Sequence, residues 1–252
     1  MRDTFWKQMN EELAAFHLQL TEEQLKKFYR YFELLEEKNK VMNLTAITEE
    51  REVVTKHFVD SLSLVRVFPE LEGGREFSII DVGTGAGFPG IPLKIVYPNL
   101  QVTLLDSLKK RVCFLQEVCS QLELEKISAV HGRAEDFGRD KNFREAFDLC
   151  VSRAVANLAT LSEYCLPFVR IGGLFISYKS EEVGEEIKGA ESAIKQLGGK
   201  IKSIQSFKLP KTDMGRSLIA IEKMKKLSGK YPRKAGLPSK DPLGQGNGNV
   251  SL

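Results

Sequence analysis

The stretch SIIDVGTGAGFPGIPLKIV, residues 78–96, decides the fold. A short run rich in β-branched residues ends at Asp81. Four glycines follow (Gly83, Gly85, Gly87 and Gly90), and then a second apolar segment opens. The pattern predicts a strand, a tight loop and the start of a helix. Glycines lack a Cβ, so the backbone can bend sharply and approach a ligand, and a helix N-terminus offers N–H groups.

Working outward, the same alternation repeats. FSIIDVG, VTLLDS, ISAVHG, FDLCVS and GLFISYK read as strands, and helices are expected near 87–97, 108–122, 157–169 and 181–197. Strands alternating with helices imply parallel pairing through right-handed crossovers. The order then changes. GKIKSIQSFKLP and RSLIAIEKM are separated only by KTDMG, which predicts a closing antiparallel hairpin. The expected fold is α/β and Rossmann-like, with a mostly parallel seven-stranded sheet.

Upstream, residues 1–75 read as a helical extension. Thr21 and Gln24 form a capping box, with Leu20 and Leu25 placed as a staple. KNKVMNLTAI is expected to break that helix, and Thr48 to start the next. The sheet domain is expected over 76–226 and a basic Pro/Gly-rich tail over 227–252. From Lys223 to Lys240 that region carries seven lysines and arginines and no acid. Lys230, Arg233 and Lys234 are its candidate RNA contacts, and the terminal GQGNGNVSL reads as solvated.

The 252 residues, 42% of them hydrophobic, suffice for one substantial core. A net charge of +3 does not announce a nucleic-acid binder, so the placement of charge matters more. The N-terminus has no secretory h-region, and no apolar run reaches membrane-spanning length. A cytoplasmic monomer is expected. Cys113, Cys119, Cys150 and Cys165 form no CxxC pair and read as buried, reduced thiols. No histidine or cysteine cluster has metal-ligand spacing.

Two cofactor classes fit the glycine loop. GAGFPG satisfies the dinucleotide pattern G-x-G-x-x-G, a weak signal alone. DVGTGAG, with Asp81 before Gly83, Gly85 and Gly87, resembles motif I of class I S-adenosylmethionine (SAM) methyltransferases. Pro89 and Pro92 remove N–H donors that a pyrophosphate would use. Asp106, closing the second strand, suits ribose hydroxyls in either class. Glu135, in GRAEDF after the third strand, resembles the residue by which methyltransferases recognise adenine. These features, with the terminal hairpin, favour SAM.

NKVMNLTAI, HFVDSL, DVGTGAGFPGIPLKI, GRAED, SRAVA and KYPRKAGLPSKDPL together resemble the bacterial 16S ribosomal RNA guanine-N7 methyltransferases, the RsmG or glucose-inhibited division protein B family. The resemblance implies methylation of one guanine in the decoding region of 16S rRNA, guanine 527 in the customary numbering, with 16S rRNA or the small subunit as partner. It places Gly83 and Phe88 at the SAM site, Asp106 at the ribose, and Ala134 and Glu135 at the adenine. Arg153, in SRAVA, is a candidate for the SAM carboxylate, an RNA phosphate, a guanine edge or a structural ion pair. His57 lies on an apolar helical face and reads as structural; His131 sits beside GRAED and could shape the cofactor site. Guanine N7 has a free lone pair, so no general base is expected. The competing readings are a SAM methyltransferase of tRNA or a small molecule, and a noncatalytic ribosome-binding module.

Overall fold

Successive strand residues divide cleanly between two apolar layers, as the two-residue period of a strand requires. Ile79, Leu104, Leu149, Val151, Leu174, Ile176, Leu218 and Ala220 join one core. Their neighbours Ile80, Leu105, Cys150, Phe175, Ile219 and Ile221 join the other. The computed structural model from which this is read describes residues 2–244. Its strands are β1 Ser78–Val82, β2 Gln101–Asp106, β3 Ile127–His131, β4 Phe147–Ser152, β5 Val169–Ser180, β6 Gly199–Lys208 and β7 Gly215–Lys223. They form one sheet in the order β3-β2-β1-β4-β5-β7-β6. β1 to β5 pair in parallel, and β7 runs antiparallel to both β5 and β6. The seven strands and the closing hairpin are the architecture expected from the sequence.

The helices are α1 Arg2–Leu13, α2 Glu22–Met42, α3 Glu50–Val53, α4 Asp60–Leu62, α5 Gly90–Val96, α6 Lys109–Gln121, α7 Ala134–Phe137, α8 Leu158–Cys165, α9 Gly184–Gln196 and α10 Leu237–Lys240. Among the described residues no helix is long and apolar enough to cross a membrane. Thr21 caps α2 with the expected capping box: its hydroxyl accepts from Gln24 N at 3.2 Å, and Gln24 Oε1 accepts from Thr21 N at 2.9 Å. The helix ends inside the KNKVMNLTAI stretch, as expected: it runs to Met42, and Asn43 adopts φ 48° and stops it. Lysines near a helix C-terminus suit its dipole, and Asn tolerates the left-handed cap. Glu49, not Thr48, caps the next helix, its carboxylate accepting from Glu52 N. α8 stops at Cys165, short of the expected 169, because Pro167 has no N–H with which to continue the helical ladder.

A π-helical segment, Val54–Val59, joins α3 to α4. Phe58 on this segment is fully buried among Phe28 at 5.1 Å, Tyr31 at 5.5 Å, Phe88 at 6.0 Å and Phe5 at 6.1 Å, measured between ring centroids. The N-terminal helices therefore share one apolar core with the inner sheet face. On the other face lie α8, α9 and the segment from Leu227 onward, whose Leu227, Tyr231 and Leu243 join the second core. That segment is laid along the domain over its described length, to Gly244. Residues 245–252, nearly all of the stretch read as solvated, lie outside the described residues.

Phe58→Ala removes the ring that four aromatic neighbours enclose. It should destabilise the protein by about 3–5 kcal/mol, measured by chemical denaturation. A loss below about 1 kcal/mol would mean that the helical layer closes over the gap and does not depend on this ring.

Candidate active site

The glycine loop connects β1 to α5 and turns its own amides inward. Gly83 N and Thr84 N donate to Leu105 O, and Gly87 N and Phe88 N donate to Thr84 O. Gly85 N donates to Asp106 Oδ2 at 3.0 Å, and Gly90 N to Asp81 Oδ2 at 2.9 Å. Ile91 N reaches Gly87 O. Prolines 89 and 92 have no N–H. A pyrophosphate needs several convergent amides, and this loop has already committed most of its own. Gly87, at φ 107°, shows why glycine is required: a Cβ would stand 2.5 Å from the Tyr31 hydroxyl.

Asp81 is the hub under the loop. It is fully buried, and Oδ2 also accepts from Thr84 Oγ1 at 2.7 Å, while Oδ1 has no hydrogen-bond partner among the described residues. Burial, outweighing these bonds, pushes its carboxyl up to about 7. Asp106 is also buried, with Oδ1 accepting from Leu108 N at 2.9 Å and Arg111 at 3.5 Å from Oδ2. Its carboxylate thus braces the β1 and β2 loops against each other. The sequence offered it only as a ribose ligand.

Phe88 is held on the helical side of the loop. His57 stacks on it at 4.5 Å with 13° between planes, Tyr31 at 5.4 Å, and the Arg153 guanidinium lies 5.5 Å from its centroid. Arg153 is itself tied to the helical layer. Its Nη1 is 3.2 Å from Asp60 Oδ2 and donates to His57 O and Ser61 Oγ; its Nη2 donates to His57 Nδ1 at 3.1 Å. Because Nδ1 accepts, Nε2 carries the proton and donates to Thr45 Oγ1 at 2.9 Å. Burial first, and the Arg153 charge second, drive the His57 pKa down to about 3, so the ring stays neutral. Of the readings open for Arg153, the structure displays the ion pair.

A cavity of about 360 Å³ opens at the carboxyl ends of β1 to β4, where parallel α/β sheets bind ligands. Gly83, Ala134, Glu135, Ala154 and Tyr164 line it, together with Gly236 and Ser239 from the C-terminal segment. Gly83, Ala134 and Glu135 are thus brought together here. Asp81, Gly85, Gly87, Phe88, Asp106 and Arg153 are not among the residues that line the cavity. Sequence reading missed Ser107 and Arg133, flanking motif residues, and also Tyr164, Gly236 and Ser239, which only the tertiary fold brings in.

The basic segment is also arranged differently from its sequence reading. Lys230 and Lys234 are exposed, but Arg233 turns inward onto the buried Glu163, with Nη2 and Oε2 2.7 Å apart. Lys223 is wholly buried, donating to Leu166 O at 2.8 Å and facing Glu145, and burial lowers its pKa to about 8. His131 is exposed and lies 3.1 Å from Ser107 O. Cys113 is exposed, contrary to expectation; Cys150 and Cys165 are buried, and all four thiols are free.

The cavity suits SAM on its own evidence. Glu135 accepts from Gly236 N through Oε1 at 2.9 Å. Its Oε2 meets no donor among the described residues, leaving an acceptor for an adenine amine. Gly83, at φ 71°, presents bare backbone there, and a side chain would enter beside Ala154, whose Cβ is 3.7 Å from the position a Cβ would take. Fold and site together define a class I SAM-dependent methyltransferase. Solved structures of NSun6 from Pyrococcus horikoshii (TM-score 0.52, 16% identity, 66% of this chain and 52% of that one) and TrmN from Thermus thermophilus (0.50, 14%, 68% and 53%) share the fold. The family model for rRNA small subunit methyltransferase G matches residues 24–215. Proteins named ribosomal RNA small subunit methyltransferase G from Lachnoclostridium phytofermentans and Acetivibrio thermocellus are 54% and 49% identical, each over 92% of this chain and 94% of theirs. The chain belongs to that family.

Asp81 makes stability depend on pH. Its folded pKa, about 7, lies above the unfolded 3.8. Its contribution is therefore fully present below the unfolded value and lost as pH rises through the folded one. Asp81→Asn keeps an acceptor for Thr84 and Gly90 but cannot ionise. The stability of the variant relative to the wild type should improve as pH rises from 3.8 to about 7 and level off above that. Parallel denaturation curves for the two proteins across this window would contradict the assignment.

Proposed function

We propose that the chain transfers a methyl group from SAM to N7 of a guanine in small-subunit rRNA, and that the guanine is the one in the decoding region named by the family resemblance. The observation that carries the N7 reading is the chemistry of the cavity wall. Its ionisable side chains are Arg133, Glu135 and Tyr164. Arg133 is a hydrogen-bond donor with no acceptor atom. Glu135 accepts from Gly236 N through Oε1 and offers Oε2 to the adenine, and burial raises the Tyr164 pKa above the usual phenol value. Among the described residues no histidine, cysteine or lysine lines the cavity, and His57 is neutral behind Phe88.

A wall without a tuned base suits a nucleophile that has no proton to lose. Guanine N7 has an in-plane lone pair, while an exocyclic amine or a hydroxyl must shed a proton. SAM supplies the electrophilic methyl group. Gly83, Ala134 and Glu135 would hold it, and the protein's remaining work is alignment and exclusion of water. N7 faces the major groove, which is deep and narrow in RNA, so an unpaired or splayed guanine is the target. Exposed Lys109 and Lys110 follow β2, Arg133 follows β3, and Lys234 and Lys240 flank Gly236 and Ser239. Together they offer phosphate contacts around the cavity edge.

Purified enzyme, SAM and small-subunit rRNA should yield 7-methylguanosine on nucleoside mass analysis. Single-turnover rates at saturating SAM and RNA should be nearly flat between about pH 6 and 9, where a tuned base would titrate. A rate climbing about tenfold per pH unit, or a methyl group on another atom, would defeat the N7 reading. Methylation of tRNA with none on rRNA would defeat the substrate assignment.

A further inference from the structure

The segment after β7 runs over the second face of the sheet, from Glu145 just before β4 to Glu135 just after β3, and is held by charge at nearly every step. Arg144 donates to Tyr231 O at 2.8 Å, Ser228 O at 3.1 Å and Leu227 O at 3.2 Å. Arg139 donates to Lys230 O at 3.2 Å and to Pro232 O. Arg233 then turns back onto Glu163, an acid with no exposed surface inside the apolar face of α8. Backbone N and side-chain Nε of Arg233 reach Glu163 Oε1 at 2.7 and 3.0 Å, and Nη2 reaches Oε2. Arg233 Nη2 also donates to Asp241 O at 2.7 Å, closing the short loop that contains α10. Inside that loop Gly236 N meets Glu135, and Pro238 O accepts from Thr160 Oγ1 at 2.9 Å.

A buried carboxylate saturated by one arginine is an expensive way to pin a surface segment, because both charges must leave water. The loop it pins supplies two of the residues lining the cavity, Gly236 and Ser239. We propose that residues 228–241 form a strap that completes the SAM site, and that Arg233 and Glu163 are positioning residues for the cofactor rather than contacts for RNA. The proposal rests on the cavity being the SAM site. The strap has two faces. Gly236 and Ser239 look onto the cofactor, while Lys230, Lys234 and Lys240 stand in solvent.

Three kinds of variant separate these roles, each measured by calorimetry with S-adenosylhomocysteine and by RNA binding across a salt series. Ser239→Trp places bulk at the cavity wall from an exposed position, so the fold is retained. It should weaken S-adenosylhomocysteine by about tenfold or more while RNA affinity holds. Arg233→Gln should also weaken the cofactor, by about tenfold, and raise KM for SAM more than it lowers kcat. Arg233→Lys should restore only part of that affinity, because lysine lacks the planar fork. The double variant Lys234→Ala/Lys240→Ala should leave cofactor affinity unchanged and flatten the logarithmic salt slope by roughly 0.7–0.9 for each phosphate no longer neutralised. Unchanged S-adenosylhomocysteine affinity in both Ser239→Trp and Arg233→Gln would overturn the strap proposal. Wild-type protein that binds no S-adenosylhomocysteine would instead overturn the cavity assignment beneath it.

Discussion

The contact on which the site depends is the buried pairing of Asp60 with Arg153 and Arg216. Asp60 is 4% exposed and begins α4; its two oxygens lie 3.2 Å from one guanidinium each. Arg153 follows β4 and Arg216 belongs to β7, so a single carboxylate ties the helical layer to two strands. A buried ion pair adds little net stability, since desolvation offsets most of its Coulomb gain. Its value here is geometric. Ala154 and Ala156, lining the cavity, share a loop with Arg153. Arg153 and His57 together press on Phe88, which fixes the far side of the glycine loop. Cofactor wall and helical layer are therefore positioned by the same few atoms.

The glycine loop is rigid for a related reason. Its amides bond to Leu105 O, Thr84 O, Asp81, Asp106 and Gly87 O, so its shape is set before any ligand arrives. Such a loop offers bare backbone at Gly83 but little capacity to cradle phosphate. The difference between a dinucleotide site and this one lies less in the glycine spacing than in where the N–H groups point. Asp81 and Asp106, which motif reading treats as ligands, act here as acceptors that hold the loop closed.

Most of the fold was legible because it is written in local periods. Alternating residues such as Ile79 and Ile80 announce a strand with both faces covered, and Thr21 with Gln24 announces a helix start. Motifs also singled out Gly83, Ala134 and Glu135, which the fold brings together at one cavity. The strap was not, because its meaning depends on partners far along the chain. A run of lysines and arginines without acids reads as a set of RNA contacts until Glu163 is placed opposite Arg233, 70 residues away. Signals did exist. Glu163 is a lone acid in the apolar run LATLSEYC, and Lys223 continues the inward phase of Ile219 and Ile221 in β7. Each is a charge at a position whose period demands burial, and such a charge requires a partner.

The cavity between the glycine loop, the β3 end and the strap is where we propose that the cofactor binds. The most direct measurement is an experimental structure of the full chain with S-adenosylhomocysteine. Ligand density is expected in the cavity lined by Gly83, Ala134, Glu135 and Tyr164, with Gly236 and Ser239 in place beside it. Density elsewhere, for example in the groove between α1 and α3 lined by Lys7, Glu12 and Arg51, or a strap displaced from the bound ligand, would contradict it.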